Sequence, residues 1–449
     1  MKVTFIMPCV GKKPGVPYVK TWQMEPLAIA VLSAITPADV KKEFFDDRLE
    51  DIPYEAPTDL VAINVETYTA KRAYQIAGEY QKRGVPVVMG GFHATLMSEE
   101  VATKADSVVI GAAESVWLEV VEDARANRLQ PVYRGGETNC FSQEMPDRSI
   151  YLGKKYTRVT LIETGRGCRY ACEFCSICRF FESRYYPREI GQVLREIRDN
   201  PSLVYFFIDD NVAVDKLHTK ELLTALIPLK VRWVGQVSID IAKHEDLLSL
   251  MAKSGCMGVL IGFESLNHEN LESMGKNVNA ALADYEAALS LIRRYHLGVY
   301  ATFLFGYDSD TTETFEETLA FSIRQKFFFT AFNHLVPYPG TPLYDRLEAE
   351  DRLLYPQWWL HDDYTFGQVA FRPENFTPDE LAKTCLSYRN RFYSVRSILR
   401  RGLDLSVNSR GILRSVVYWT ENFISRGDVG LRQGLPLGLV HDKAEMRRS

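Results

Sequence analysis

Residues 165–184 read GRGCRYACEFCSICRFFESR and hold four of the chain's eight cysteines. Cys168, Cys172 and Cys175 form C-x3-C-x2-C, and Cys178 adds a fourth thiol three residues on. Thiols this close together usually mean a metal site, because soft sulfur ligands select iron–sulfur clusters, zinc or copper(I). A zinc ribbon needs a second, separated C-x2-C knuckle or cysteines paired with histidines, and neither follows. A bacterial ferredoxin run would read C-x2-C-x2-C-x3-C-P, a different spacing. Three thiolates on a compact loop can hold three irons of a [4Fe-4S] cube and leave the fourth iron open. An open coordination position marks a catalytic metal rather than a structural one. The plain alternative is a chance gathering of buried thiols.

Outward from the loop, 159–164 (VTLIET) reads as the strand that delivers the chain to it. Strand and helix signals then alternate at β/α spacing as far as about Leu343. A helix is expected over 187–200, with apolar spacing at Ile190, Val193, Leu194 and Ile197. Further strands are expected at 203–208, 232–238, 258–263, 298–305 and 327–335. Polar residues recur where these strands end: Asp209-Asp210-Asn211, Gln236 and Ser238, and Glu264-Ser265. Barrel chemistry is assembled at such carboxyl ends. Helix N-capping is the competing explanation for Asp and Ser there.

Ahead of the loop, short apolar runs at 3–7, 44–45, 60–65, 85–89 and 107–110 alternate with helical patterns at 26–34, 70–83 and 114–126. This alternation predicts an α/β, doubly wound, Rossmann-like domain, in which ligands bind beyond the carboxyl ends of the strands. Those ends carry Asn64, Thr67 and Thr69, then Gly90, Gly91, His93 and Thr95, then Gly111 and Glu114. Glycine admits close backbone approach, and Thr and Asn offer neutral hydrogen-bonding groups. No G-x-G-x-x-G indicates a dinucleotide, so another nucleotide or no ligand at all stays open. Residues 127–155, with Gly135-Gly136 and Pro146, read as a linker.

The 449-residue length suits two or three domains, and 46% hydrophobic with 25% charged residues is ordinary for a globular protein. A net charge of −5 gives no footprint for nucleic acid. No apolar run is long enough for a transmembrane segment, and the chain opens on an apolar strand without a leader pattern, so a cytoplasmic protein is expected. Cys9, Cys140, Cys256 and Cys385 are scattered and read as reduced, buried hydrophobes. Residues 345–449 look helical, with aromatics at Trp358-Trp359, Tyr364, Phe366 and Phe392-Tyr393 and arginines at Arg396, Arg400, Arg401, Arg410 and Arg414. They suit a packed cap with a solvated face, a cap that grips an anionic substrate, or a basic surface resting on a membrane.

The cysteine spacing, the strand before it and Phe174 just ahead of the third cysteine resemble the radical S-adenosylmethionine (SAM) superfamily. The resemblance implies a partial (β/α)6 barrel over 156–344 and a [4Fe-4S] cluster on Cys168, Cys172 and Cys175, with Cys178 a bystander. It implies that the open iron chelates SAM, which one electron cleaves to a 5′-deoxyadenosyl radical, and that a flavodoxin- or ferredoxin-type donor supplies the electron. It places Phe174 beside SAM, Asp209 and Asp210 at its ammonium, Glu264 and Ser265 at its ribose, and Ser238, with Gln236, toward its carboxylate and sulfonium. Residues 337–344 (PYPGTPLY) resemble the turn that leaves the family's last barrel strand, where alternation lets only one of Asn333 and His334 face the interior.

The segment from Gly90 to Thr95 (GG-x-H-x-T), with Gly111 and Glu114, resembles the cobalamin-binding domain of one radical SAM subfamily, although Ala112 departs from its G-E-x-E. This implies a cobalamin-binding domain over 1–126, contacted through Asn64, Thr67, Thr69, Gly90, Gly91, His93, Thr95, Gly111 and Glu114. A D-x-H-x-x-G motif is missing, so no protein histidine on cobalt is expected. The implied reaction is cobalamin-dependent methylation of an unactivated carbon in a small molecule, with lipid-like and tetrapyrrole-like classes both open. Cyclisation or rearrangement without methyl transfer is the alternative, and a non-catalytic cobalamin or redox sensor is a third.

Overall fold

A computed structural model describes residues 1–13, 18, 23–136, 141–281 and 284–439. The chain divides into two compact units. One comprises Met1–Tyr156 with Tyr355–Gln368 and Arg432–Ser449; the other comprises Thr157–Leu354 with Val369–Leu431. The stretch expected as one helical region, 345–449, is therefore shared between both. Cys140 lies outside the described residues.

The first unit is built on six parallel strands: β1 (Lys2–Met7), β2 (Lys41–Asp46), β3 (Leu60–Asn64), β4 (Val87–Gly90), β5 (Ser107–Ile110) and β6 (Val132–Arg134). Their order is β2-β1-β3-β4-β5-β6. The central strands read as nearly unbroken apolar runs because helices cover both faces of a parallel sheet. The winding order, not the strand direction, switches between β1 and β3, the place where sheets of this kind bind ligands beyond the strands' carboxyl ends. β6 falls inside the stretch expected as a linker. Three residues with only Tyr133 buried carry too little periodicity to be read as a strand. One core face packs Phe5 on Trp117 with centroids 5.6 Å apart, and the indole N–H donates to Thr36.

Residues 355–368 pack on this unit. Trp358, Trp359 and Tyr364 are fully buried, with Trp358 against Tyr68 at 4.7 Å and Trp359 against His93 at 5.7 Å. These aromatics, expected as a possible substrate grip, are instead part of a core.

In the second unit β7 (Thr160–Ile162) enters the cysteine loop, which a two-stranded ribbon of β8 (Gly165–Gly167) and β9 (Tyr185–Pro187) brackets. β10 (Tyr205–Phe207), β11 (Trp233–Val237), β12 (Cys256–Glu264), β13 (Gly298–Phe305) and β14 (Phe329–His334) follow. β7 and β10–β14 form one parallel sheet in sequence order. Along β13, Val299, Ala301, Phe303 and Phe305 are buried, while Tyr300, Thr302 and Leu304 keep partial exposure on the opposite face. β14 pairs Leu304 with Asn333 and Phe305 with His334. By register Asn333 falls on the face of Leu304 and His334 on that of Phe305, although both side chains stay half-buried at the strand end.

The free edge of β14 is closed by the arginine-rich helices that follow. Tyr393 hydroxyl meets both backbone groups of Thr330. Arg389 donates to the carbonyl of Phe332 and to Asn333. Arg401, fully buried, donates to the carbonyls of Phe327, Phe328 and Phe392 and stacks 3.8 Å above the Phe392 ring. A guanidinium suits this work because its planar fork satisfies several orphan carbonyls at once. Arg401, one of the arginines expected to offer charge to a substrate, is therefore an edge cap. Arg414 likewise donates to the carbonyl of His296. Among the described residues no helix is long and apolar enough to cross a membrane.

Candidate functional site

Gly167 turns the chain into the cysteine loop with φ +81°; a Cβ there would lie 2.2 Å from the carbonyl oxygen of Arg184. Residues far along the chain then pin the loop. Glu173 N–H donates to the carbonyl of Met274 at 3.0 Å, and Leu343 N–H donates to the carbonyl of Glu173 at 3.1 Å. The Glu173 carboxylate accepts from Tyr307 and Arg346, each at 2.9 Å. Arg179 donates to the carbonyl of Gly340. The PYPGTPLY turn is thus a brace for the loop as well as an exit from the sheet.

Cys172 and Cys178 are buried, and Cys168 and Cys175 are half-buried. Burial pushes the Cys172 thiol up to about 11 and also raises Cys168. Cys175 is lowered, first by a hydrogen bond from the Cys178 thiol. The Cys178 S–H also reaches the carbonyl of Tyr170 at 2.8 Å, so the fourth thiol is turned to the loop itself. Lys276 adds positive charge that lowers both Cys172 and Cys175. Three thiols near a half-buried ammonium form a donor set suited to an iron–sulfur cluster, whose thiolate ligands carry negative charge. No three His, Cys, Asp or Glu side chains among the described residues converge on a single ion. A cuboidal cluster asks for no such convergence, since its ligands belong to separate irons.

Lys276 was not among the residues singled out in sequence. Its ammonium pairs with Glu264 at 3.0 Å and lies 5.9 Å from the centroid of Phe174. Burial alone would push it down; Glu264, then Cys172, raise it instead. The local signal was Met274-Gly275-Lys276, where Gly275 has φ +67° and a Cβ would come within 3.2 Å of the Ala171 carbonyl oxygen. Glu264 itself sits at φ +63°, where the β12–β13 register slips. That bulge turns its carboxylate back over Gly262, whose Cβ would lie 2.1 Å from the oxygen. The structure thus brings together Cys172, Cys175, Phe174, Glu264 and Lys276.

The other strand-end residues are engaged differently. Asp209 is buried and accepts from Thr164 N–H at 2.7 Å and Thr164 hydroxyl at 2.6 Å, while burial raises it to about 8. Asp210 accepts from Gly167 N–H at 3.0 Å and is raised to about 6, again by burial. Ser238 accepts from Asn211 at 2.8 Å and, with Gln236, stays half-buried. Ser265 is buried and accepts from Asn267 N–H.

In the first unit the polar side chains at the strand ends serve the loops. His93 is fully buried; its Nδ1 lies 3.3 Å from Thr67 Oγ1 and its Nε2 lies 3.2 Å from Glu100. Glu100 also accepts from Tyr74 and Trp359. Thr95 donates to the carbonyl of Gly91 and accepts from Gly111 N–H, joining two loops. Thr69, buried like Thr67, forms a capping box with Glu66. Gly91 holds φ +107°, and a Cβ there would lie 2.5 Å from Asn64 Oδ1. A Cβ on Gly90 would meet nothing closer than 3.6 Å, so backbone there is open to approach. Gly111 has φ +81°, and Glu114 is half-buried in the short turn after it. Beyond β3 the half-buried positions are Asn64, Glu66 and Tyr68. Glu66, raised to about 7 by burial, is a second residue the sequence reading passed over. Side-chain alternation was the signal for it.

Residues 162–322 match the family model of the radical SAM superfamily. Over 389 residues the chain is 30% identical to the bacteriochlorophyllide d C-12(1)-methyltransferase of Chlorobaculum tepidum, covering 84% of each. It is 25% identical to the anaerobic magnesium-protoporphyrin IX monomethyl ester cyclase of Cereibacter sphaeroides, over 78% of this chain and 62% of the cyclase. Among solved structures, the radical SAM methyltransferase TsrM of Kitasatospora setae, with cobalamin and a [4Fe-4S] cluster bound, matches with a TM-score of 0.65. That likeness covers 95% of this chain and 98% of TsrM at 15% identity, and it bears on the fold.

Proposed function

This chain belongs to the radical SAM superfamily and to the family of the bacteriochlorophyllide methyltransferase above; from that premise we propose that it methylates a carbon of a tetrapyrrole-type small molecule, with a [4Fe-4S] cluster, SAM and cobalamin as cofactors. The observation that carries the reading is the braced loop of Cys168, Cys172 and Cys175, with the Lys276 charge acting on the thiols and the Cys178 S–H engaged by the Tyr170 carbonyl and Cys175. When bound, the cluster supplies an electron to SAM, and the corrinoid carries a methyl group to the substrate.

The protein's own contribution is to hold, orient and balance charge. Cys168, Cys172 and Cys175 hold the cluster, and Lys276 offsets their negative charge. Phe174, Asp210, Ser238 and Glu264 are the proposed SAM contacts. Asp209 and Ser265, whose polar atoms already serve Thr164 and Asn267, position them. Asp210 keeps one carboxylate oxygen beyond its bond to Gly167, which suits an ammonium. In the first unit Gly90, Gly91 and Gly111 offer backbone approach to the corrinoid, with Asn64 and Glu114 as polar contacts. Thr67, Thr69, His93 and Thr95 shape those loops. The engagement of both His93 nitrogens supports a cobalt without a protein histidine. A flavodoxin- or ferredoxin-type protein in a reducing cytoplasm is the proposed electron source.

Incubation of the reduced holoenzyme with methyl-labelled SAM and a chlorophyllide-type substrate tests this. Label in the product, together with 5′-deoxyadenosine, is expected. A turned-over, unlabelled product favours the second reading, ring closure without methyl transfer, which the likeness to the cyclase supports. Failure to release any 5′-deoxyadenosine would remove both enzyme readings and leave a sensor.

A further inference from the structure

The second unit carries an outward apolar face that its own packing does not use. The turn between helices Val395–Gly402 and Ile412–Asp428 projects Leu403, Leu405 and Ile412, which are 75%, 76% and 85% exposed. Along the first helix Val395 and Leu399 continue this face at four-residue spacing toward Leu403; along the second, Val416, Phe423 and Ile424 continue it from Ile412. Soluble proteins rarely leave so many large apolar side chains together in water without a partner for them.

Charge decides which partner. The exposed charged residues of segment 395–431 are Arg396, Arg400, Arg410 and Arg426, and none of its acidic residues is exposed. This is a local reversal in a chain whose net charge is −5. Beside Ile412, Arg232, Arg410 and Arg414 also line a hollow of about 800 Å3 that includes Cys256, Met257 and Leu413. A surface that joins protruding leucine and isoleucine to four exposed arginines, with Asp404 buried and Glu421 and Asp428 half-buried, is complementary to an apolar layer beneath anionic headgroups. Arginine stems lie along apolar surface while their heads reach toward phosphate.

We propose that the face formed by Leu403, Leu405, Ile412 and the flanking arginines docks this protein peripherally on bilayers that contain anionic phospholipid. The apolar tips enter the interfacial layer, and the arginines meet headgroup phosphates. Docking of this kind is reversible and sensitive to salt, because it rests on interfacial insertion and charge; among the described residues no helix is long and apolar enough to cross a bilayer.

Co-flotation of the full-length protein with phosphatidylcholine vesicles, with and without phosphatidylglycerol, tests the proposal. Wild-type protein is expected to float with the anionic vesicles and to be released as salt is raised from about 0.1 to about 0.5 M. The variant L403S/L405S/I412S should bind at least about tenfold more weakly. The variant R396Q/R400Q/R410Q/R426Q should lose the preference for phosphatidylglycerol. These are surface positions, so circular dichroism and SAM cleavage without vesicles should match wild type. That second readout separates a failure of docking from a failure of the catalytic reading. Equal flotation with both vesicle types, or variants that bind like wild type, would overturn the proposal. So would a dimer in sedimentation that L403S/L405S/I412S abolishes while wild type ignores vesicles, since the face would then belong to a second copy.

Discussion

The cysteine loop of the second unit and the glycine-rich strand ends of the first both follow the carboxyl ends of parallel strands, yet they use their side chains in opposite ways. In the cysteine loop, distant groups such as Met274, Tyr307, Leu343 and Arg346 hold the backbone and Glu173, and the Cys178 thiol reaches the Tyr170 carbonyl, so this bracing does not rest on the thiols of Cys168, Cys172 or Cys175. In the first unit His93, Thr67, Thr69 and Thr95 hold the loops themselves, which leaves glycine backbone as the accessible surface. A site that works through side chains announces itself by residue type. A site that works through backbone announces itself only by where glycine is tolerated.

The largest expected effect breaks the first half of this contrast. Cys175→Ala should abolish both the cluster's visible absorbance and SAM cleavage, whereas Cys178→Ala should keep both, because its thiol serves Tyr170 and Cys175. A Cys175→Ala protein that retained its iron would show that the ligand set has been assigned wrongly. Next in size is Lys276→Met, which strands the buried Glu264 carboxylate without its counter-charge. Loss of one partner from a buried pair costs about 3 kcal/mol or more. Its unfolding midpoint should fall clearly, and Glu264→Gln in the same chain should recover much of the loss. An unchanged midpoint for the single variant would mean that the pair is solvated.

Gly91→Ala sharpens the other half. The substitution forces a side chain into φ +107° and against Asn64, a strain of about 1–3 kcal/mol. Corrinoid retention after gel filtration should drop while cluster content stays at the wild-type level. Parallel loss of both would deny that the two regions bind independently. The smallest effect concerns pH. Burial raises Glu66 from 4.5 to about 7, so the folded state holds its proton more tightly than the unfolded chain does. Its contribution to stability is complete below pH 4.5 and disappears as pH rises to about 7. Glu66→Gln should flatten that part of the profile of unfolding midpoint against pH; an unaltered slope would assign it to other groups.

Much of the fold was legible because parallel sheets write themselves as buried apolar runs. The strands expected at 60–65, 107–110 and 298–305 correspond to Leu60–Asn64, Ser107–Ile110 and Gly298–Phe305. β6 escaped because three residues at a sheet edge carry no period. The aromatic pair Trp358-Trp359 suggested a ligand grip because composition cannot distinguish a ring that awaits a ligand from one packed on Tyr68 and His93. Arg401 misled for the same reason, since its partners are backbone carbonyls that have no signature in sequence. Lys276 was missed because its role depends on Glu264 and the thiols, which lie far from it along the chain or come close only through the bulge in β12.

By itself, the sequence determined the alternation of strand and helix, the thiol spacing and the glycine positions. These follow from local sterics and donor chemistry, which need no knowledge of what lies nearby. Tertiary structure alone decided which polar groups remain free. It occupied Asp209 with Thr164, His93 with Thr67 and Glu100, and Arg401 with the β14 edge, and it set Lys276 against the cysteine loop. The physical reason is that a buried donor or acceptor must find a partner wherever the fold supplies one, and that partner is chosen by distance in space.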